Sequence, residues 1–175
     1  MIISVDDIVS LPEFKGQDTN ILQQKLNALE LLIRKYTNNN FQNRLVRFTG
    51  NSLGNRILGC HQFLTVGDTL QISESAVNDG LYVVTEISDD YTRIDKELFT
   101  VDHNLCTKVE YPEDIKIGII NLLKYEIDMR DKVGIKSESI SRHSVTYYDQ
   151  DSSNQVMGYP VSLLGFLEPY KKARF

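Results

Sequence analysis

The sequence predicts an α+β protein in which a small helical bundle carries an inserted β-rich subdomain. Two stretches repeat apolar residues at helical spacing, one near the start of the chain and one after Tyr111. Between them, short runs alternate apolar and polar residues and are separated by turn residues, as in a small antiparallel sheet or barrel. The predicted helical core comprises residues 1–42 and 111–175, and the insertion comprises residues 43–110.

Two helices are predicted before the insertion. The hydroxyl of Ser4 can cap a short helix that Pro12 ends. Asp18 or Thr19 then caps a longer helix, which stops at the asparagines that follow Thr37 because asparagine competes for backbone hydrogen bonds. The apolar face of this longer helix consists of Leu22, Leu26, Leu29, Ile33 and Tyr36.

The insertion is predicted to contain several short strands. The run at residues 44–50 has strand-type residues before a glycine. Turn residues at Gly67 and Asp68 precede an alternating run in which Leu70 and Ile72 share one side. The turn that ends at Gly80 leads into a further strand through residue 87, and another turn and strand follow.

The chain returns to helix after the insertion. Pro112 suits a first helical turn, and Glu113 and Asp114 complement the dipole of the helix there. Its apolar stripe includes Ile115, Ile119, Leu122, Leu123 and Ile127, and Gly118 offers a point of close packing. A polar stretch at residues 134–158 has little helix signal, and it contains one candidate strand at residues 143–148. A closing helix is predicted to begin at Pro160 and end at Pro169.

Composition excludes several classes of protein. The net charge of −5 argues against a protein whose main task is to grip nucleic acid. No apolar run is long enough to cross a membrane, and the acidic start of the chain is not a secretory signal, so we expect synthesis in the cytoplasm. Residues 78–114 contain ten acidic and three basic side chains, whereas the last five residues contain three basic ones. This asymmetry fits an assembly protein with an acidic surface and a basic contact, or simply a solvated acidic region and an ordinary tail.

The sequence predicts no enzyme, cofactor or metal site. Phosphate-binding loops, nucleophile elbows and zinc-protease motifs are absent. Paired acids stand at predicted helix starts or turns, where a structural role explains them. Cys60, His61, His103 and Cys106 offer four zinc-type donors, but neighbouring residues of a strand face opposite sides and do not converge on one ion.

The end of the chain is the unusual feature. Tyr170 and Phe175 bracket Lys171, Lys172 and Arg174, and aromatic residues and arginine are favoured in protein contacts. Two interpretations stay open from the residues alone: the segment binds a partner, or its aromatic rings fold back onto the protein's own core.

Three stretches resemble one protein family. They are EDIKIGIINLLKYEID, KVGIKSESISRHSVTYY and GYPVSLLGFLEPYKKARF, in that order. Together they resemble the head–tail connector, or adaptor, proteins of long-tailed double-stranded DNA bacteriophages of Gram-positive hosts. The resemblance is loose over residues 1–40, closer over residues 111–175, and does not extend to the insertion.

The resemblance implies a structural protein of the virion neck. Such a protein assembles into a homo-oligomeric ring, usually dodecameric, beneath the portal protein, and a stopper or other downstream neck protein binds below it. DNA passes through the channel without sequence-specific binding, and no membrane is involved. The resemblance implies that the portal contacts are Tyr170, Lys171, Lys172, Arg174 and Phe175. The wide apolar helix faces make Leu22, Leu26, Leu29, Ile33, Ile119 and Leu123 candidates for the subunit interface.

Two other functions remain open at this point. The chain could be a head–tail stopper or a tail-completion protein that binds the tail side and not the portal. It could instead be a binding module unrelated to phage, with a ligand pocket in the β insertion.

Overall fold

The computed structural model describes residues 2–129, 137–140, 143–146, 155–156 and 158–173. The chain divides into two compact units. The barrel unit contains Asn40–Tyr111 together with Met1–Ile2, and the helical unit contains Ile3–Asn39 and Pro112–Phe175.

Six antiparallel strands close into a barrel in the barrel unit. They are β1 Gln42–Leu53, β2 Arg56–Leu58, β3 Thr69–Ser73, β4 Gly80–Ile87, β5 Tyr91–Ile94 and β6 Asn104–Val109. Their order around the barrel is β1-β2-β5-β4-β3-β6, and β6 pairs back onto β1. Closure leaves these strands without an unpaired edge, which removes a common route to aggregation.

Strand β1 makes closure possible because it changes partners along its length. Gly50 is the last residue paired with β6, opposite Asn104, and Asn51 is the first paired with β2, opposite Leu58. A side chain at Gly50 would collide with the carbonyl oxygen of Leu58. The glycine is therefore required where two neighbouring strands approach closely.

The barrel is filled by side chains from all around its wall. Strand alternation places Leu70 and Ile72 inward, as the sequence predicts, and both are buried. The buried cluster comprises Ile57, Leu64, Leu70, Ile72, Val84, Ile94, Leu98 and Cys106. This unit therefore has an apolar core of its own.

The two ends of the barrel segment are paired with each other. Gln42 lies opposite Val109, and the amide of Glu110 donates a 2.9 Å hydrogen bond to the carbonyl oxygen of Phe41. The rings of Phe41 and Tyr111 pack with their centroids 4.8 Å apart. The segment therefore begins and ends at one place on the barrel.

The helical unit contains three α-helices, two 3-10 segments and two short hairpins among its described residues. The helices are α1 Val5–Ser10, α2 Thr19–Thr37 and α3 Glu113–Met129. The 3-10 segments are Pro12–Phe14 and Val161–Tyr170. One hairpin pairs β7 Ser137–Ile140 with β8 His143–Thr146, and the other pairs β9 Gln155–Val156 with β10 Tyr159–Pro160. No helix within the described ranges is long and apolar enough to cross a membrane.

The predicted helix starts are confirmed. The hydroxyl of Ser4 accepts a 3.1 Å hydrogen bond from the amide of Asp7, which caps α1. The carboxylate of Asp18 accepts from the amides of Asn20 and Ile21, at 2.8 and 3.2 Å, and caps α2. Each cap satisfies backbone donors that have no partner inside their helix.

The predicted close-packing point on α3 is also confirmed. Ile115, Ile119, Leu122 and Leu123 are fully buried. A side chain at Gly118 would overlap the ring of Phe166 in the closing 3-10 segment. Phe166 therefore occupies the space that the missing side chain leaves.

The predicted fold class, a small helical bundle of the phage connector type with an inserted β-rich subdomain, is wrong. The structure is mostly a closed six-stranded antiparallel β-barrel with a few helices. The error arises because sequence periodicity reports each strand alone, whereas closure depends on the pairing of β1 with β6, residues far apart in the chain. The closing segment also differs from the prediction: it is a 3-10 helix, and it continues through Pro169 to Tyr170.

Candidate functional site

The C-terminal segment, defined here as residues 170–173, runs along the end of helix α2. The amide of Lys172 donates a 2.7 Å hydrogen bond to the carbonyl oxygen of Thr37. The side-chain amide of Asn38 donates to the carbonyl oxygen of Ala173 at 2.9 Å, and that of Asn39 donates to the carbonyl oxygen of Tyr170 at 3.2 Å. The backbone of the segment is therefore fixed by the last residues of α2.

The local sequence explains why α2 ends in this clamp. Asn38 adopts left-handed backbone geometry, with φ of 50°, and its amide closes the last turn onto Arg34. Asparagine tolerates this conformation better than most residues and its side chain is short, so it can hydrogen-bond nearby backbone groups. The sequence signal that predicts the helix end thus also supplies the two side chains that hold the C-terminal segment.

Two side chains of the segment interact with the helical unit itself. The hydroxyl of Tyr170 donates to both carboxylate oxygens of Asp114, each at 2.8 Å, and this hydrogen bond raises the pKa of Tyr170. The ammonium of Lys171 lies 2.7 Å from a carboxylate oxygen of Glu168 and 4.2 Å from the centroid of the Tyr36 ring. The hydrogen bond to Glu168 raises the pKa of Lys171, and the same bond lowers the pKa of Glu168.

The segment presents positive charge on a fixed backbone. Lys171, Lys172 and Ala173 are exposed. Of the predicted portal contacts, Tyr170, Lys171 and Lys172 therefore lie together at the end of α2. Arg174 and Phe175 lie outside the described residues.

The six candidate interface residues are buried side chains of α2 and α3. Leu22, Leu26, Leu29, Ile33, Ile119 and Leu123 are each at most 3% exposed. They support the helices from inside, and their part in a subunit interface stays a prediction. Among the described residues, the exposed large apolar side chains of these two helices are Ile21, Leu31 and Ile117.

A groove of about 440 Å³ lies beside α2. One wall is lined by Ile21, Ala28 and Leu32 of the helix, and another wall is lined by polar side chains. In that wall the buried carboxylate of Glu126 accepts a 2.5 Å hydrogen bond from the hydroxyl of Tyr159 and lies 2.9 Å from the ammonium of Lys25. Each carboxylate oxygen is thus engaged by a neighbouring side chain.

A polar cluster on the outer wall of the barrel links three neighbouring strands. The hydroxyl of Tyr91 donates to Glu86 at 2.5 Å, and Arg93 forms an ion pair with the same carboxylate. The guanidinium of Arg56 lies 4.7 Å from the centroid of the Tyr91 ring. The hydrogen bond between Tyr91 and Glu86 raises the pKa of the phenol and lowers the pKa of the carboxyl. The polar groups of this cluster interact with one another, which is consistent with a structural role.

The four possible zinc ligands are dispersed. Cys106 is buried in the barrel core, whereas Cys60 is partly exposed and its thiol lies 3.3 Å from the carbonyl oxygen of Asp89. The ring of His61 accepts a hydrogen bond from the amide of Phe63. Across the described residues, no three histidine, cysteine or acidic side chains gather as a metal ion would require.

No protein-family model matches this sequence, and no curated protein matches it.

Proposed function

We propose that the protein is a structural protein of the bacteriophage neck, which forms a ring beneath the portal, joins the DNA-filled head to the tail and extends the DNA channel. Its sequence basis is the resemblance of residues 111–175 to head–tail connectors. The observation that carries it further is the C-terminal segment, whose lysines are exposed while its backbone is clamped by Asn38 and Asn39.

A clamped segment is a suitable portal contact for a physical reason. Binding of a free tail costs conformational entropy for every residue that becomes ordered, and prior ordering removes much of that cost. Lys172 has its backbone amide bonded to Thr37 and its side chain exposed, so it is the described residue best placed to meet an acidic surface of a portal. We expect such charge contacts to steer the encounter as well as to hold the complex.

The charge of the chain fits a channel protein. DNA must move through the ring, and a wall rich in positive charge would retain it. The net charge of −5 keeps non-specific attraction to DNA low, and the basic residues of the C-terminal segment serve the protein contact instead.

The test is attachment to tailless, DNA-filled capsids that bear the portal of the virus encoding this protein. We expect the purified chain to form a ring at the portal vertex, visible by electron microscopy. Deletion of residues 170–175 should abolish attachment and leave a folded protein. Binding to isolated tails but not to portals would contradict the adaptor role and assign the chain to the stopper class.

A charge-matched pair of variants sharpens this test. Lys172→Glu should weaken attachment by about tenfold or more, because it places like charge against the portal surface. Lys15→Glu makes the same change of charge at an exposed loop position of the helical unit, and attachment should be unaffected. Equal effects of both variants would show that net charge, and not the C-terminal segment, governs attachment.

A further inference from the structure

Two loops at the end of strand β1 carry exposed apolar side chains, and we call this part of the barrel the acidic tip. Val77 and Phe99 are 57 and 70% exposed. Exposed large apolar side chains that lie close together mark interaction sites more often than isolated ones do.

A buried polar network joins the loops that carry these two residues. Asn78 donates to the carbonyl oxygen of Phe99 at 2.8 Å and accepts from the amide of Phe99 at 2.9 Å. The hydroxyl of Ser52 donates to the same carbonyl oxygen at 2.6 Å. The side-chain nitrogen of Asn78 donates to the side-chain oxygen of Asn104 at 3.2 Å. Val77 is the sequence neighbour of Asn78. A satisfied buried network of this kind holds its loops rigidly.

Acidic side chains surround the acidic tip. Asp79, Glu97 and Asp102 are exposed, and each stands one to three residues from a member of the network in sequence. The loop between β5 and β6 contains two basic residues, Lys96 and His103. The tip therefore suits a partner surface that combines apolar side chains with positive charge.

The opposite end of β1 has that chemistry, and we call it the basic knob. The pairing of β1 with β6 passes directly from Asn43 to Arg47, so three residues bulge out of the ladder. Leu45, in the middle of the bulge, is 86% exposed. Arg44 just before it and Arg47 two residues after it are exposed too.

The bulge is held by specific hydrogen bonds. The side chain of Asn43 accepts from the amide of Leu45 at 3.1 Å and donates to Glu110 at 2.8 Å. The guanidinium of Arg47 donates to the hydroxyl of Thr107 at 3.0 Å. Leu45 and Ser52, which contacts the tip, lie roughly 20–25 Å apart along the strand, so the knob and the tip are separate surfaces.

We propose that the basic knob of one copy binds the acidic tip of a second copy. Knob against knob would bring arginines together, and tip against tip would bring carboxylates together, so the favoured contact is heterologous. A heterologous contact repeats from copy to copy and closes into a ring when its rotation allows. The contact would supply the subunit interface of the ring and to that extent rests on the proposed function.

The test is a charge swap in the full chain. One variant reverses the knob by R44E and R47E, and the other reverses the tip by D79K, E97K and D102K. Association is measured by sedimentation velocity in low salt, with circular dichroism to verify that each variant is folded. We expect the unmodified chain to associate in low salt. Raising the salt concentration to 0.5 M should weaken this association by about tenfold or more.

Each variant alone should stay monomeric, because its two surfaces now carry like charge. An equimolar mixture should regain association, since each reversed surface meets a complementary one. Failure of the mixture to recover overturns the proposal, as does an unmodified chain that stays monomeric at millimolar concentration in low salt. The L45S and F99S variants should each associate more weakly than the unmodified chain, because each loses the apolar part of the contact. Undiminished association of either variant would also contradict the proposal.

The outcomes separate this contact from the proposed function. If the charge swap succeeds and attachment to portal capsids fails, the barrel contact stands and the neck role is wrong. If single subunits attach to the portal while the swap fails, the neck role stands and the ring uses another interface.

Discussion

Cys106 illustrates how strongly the barrel interior changes the chemistry of one side chain. The thiol is fully buried, and burial raises its pKa to about 12. Only the thiolate reacts readily with alkylating agents and disulfides, so the thiol is protected both by lack of access and by protonation. Cys60 is partly exposed.

We therefore predict that the folded Cys60→Ser variant resists thiol reagents at pH 8. Denaturant should release one reactive thiol per chain. In the matched Cys106→Ser variant, Cys60 should react without denaturant. Rapid labelling of the folded Cys60→Ser protein, followed with a chromogenic disulfide, would show that the barrel core is open to solvent.

Asn78 is the residue on which one end of the barrel depends. Its side chain is 2% exposed and bonds Phe99 through both its oxygen and its nitrogen. We predict that Asn78→Ala lowers the free energy of unfolding by about 2 to 4 kcal/mol, because buried backbone groups lose their partners. Asn51→Ala, at an exposed position of β1, should change it by less than about 0.5 kcal/mol. Denaturant titration measures the change in the free energy of unfolding for both variants. Equal changes would show that the polar network does not stabilise this end of the barrel.

At the scale of elements, the packing of α3 against the closing 3-10 segment depends on one missing side chain. Gly118→Ala would place a methyl group in the ring of Phe166. We predict a loss of about 1 to 3 kcal/mol in the free energy of unfolding, although alanine is the better helix former. Gly165→Ala is the control, since nothing lies near its added carbon and the change should be neutral or stabilising. Thermal unfolding distinguishes the two.

The asparagine clamp makes a second prediction for this unit. Asn38→Gly combined with Asn39→Ala removes two side-chain donors and keeps the left-handed backbone that residue 38 requires. The amide of Lys172 should then exchange with deuterium about tenfold faster or more, because local opening of the segment costs less. The amide of Leu26, in the middle of α2, serves as the internal control. Unchanged exchange at Lys172 would mean that the other contacts hold the segment without the clamp.

Local sequence patterns account well for single elements. The four-and-three spacing of Leu22, Leu26, Leu29 and Ile33 predicts α2, and Asp18 marks its start. The exposed knob at Leu45 could not be predicted, because the run around it has ordinary strand residues and the bulge arises from its register with β6. The composition of the C-terminal segment marks it as unusual, but its contacts with Asn38 and Asn39 join residues that are far apart in the sequence.

At the scale of the whole molecule, the same limit produced the wrong fold class. Each strand run is visible in the sequence, yet closure of the barrel depends on six pairings, and the one between β1 and β6 joins residues about sixty positions apart. Turn residues report where a strand ends, not which strand it pairs with. The predicted portal contacts rest on the resemblance to head–tail connectors. The structure adds the positions of three of these residues.

The division into two units predicts independent folding of the barrel. Residues 40–111 have their own apolar core and a closed hydrogen-bonded wall. We expect this fragment to fold alone, with dispersed amide resonances and cooperative thermal unfolding. The Asn78→Ala fragment is the control, and it should unfold at a lower temperature. A disordered wild-type fragment would mean that the barrel needs the rest of the chain.

The pairing of Gln42 with Val109, and of Phe41 with Glu110, brings the two ends of the barrel segment together. A short linker could therefore join these ends, and new termini could be opened at an exposed turn elsewhere. Circular permutation of the barrel fragment would in this way keep the pairing of β1 with β6.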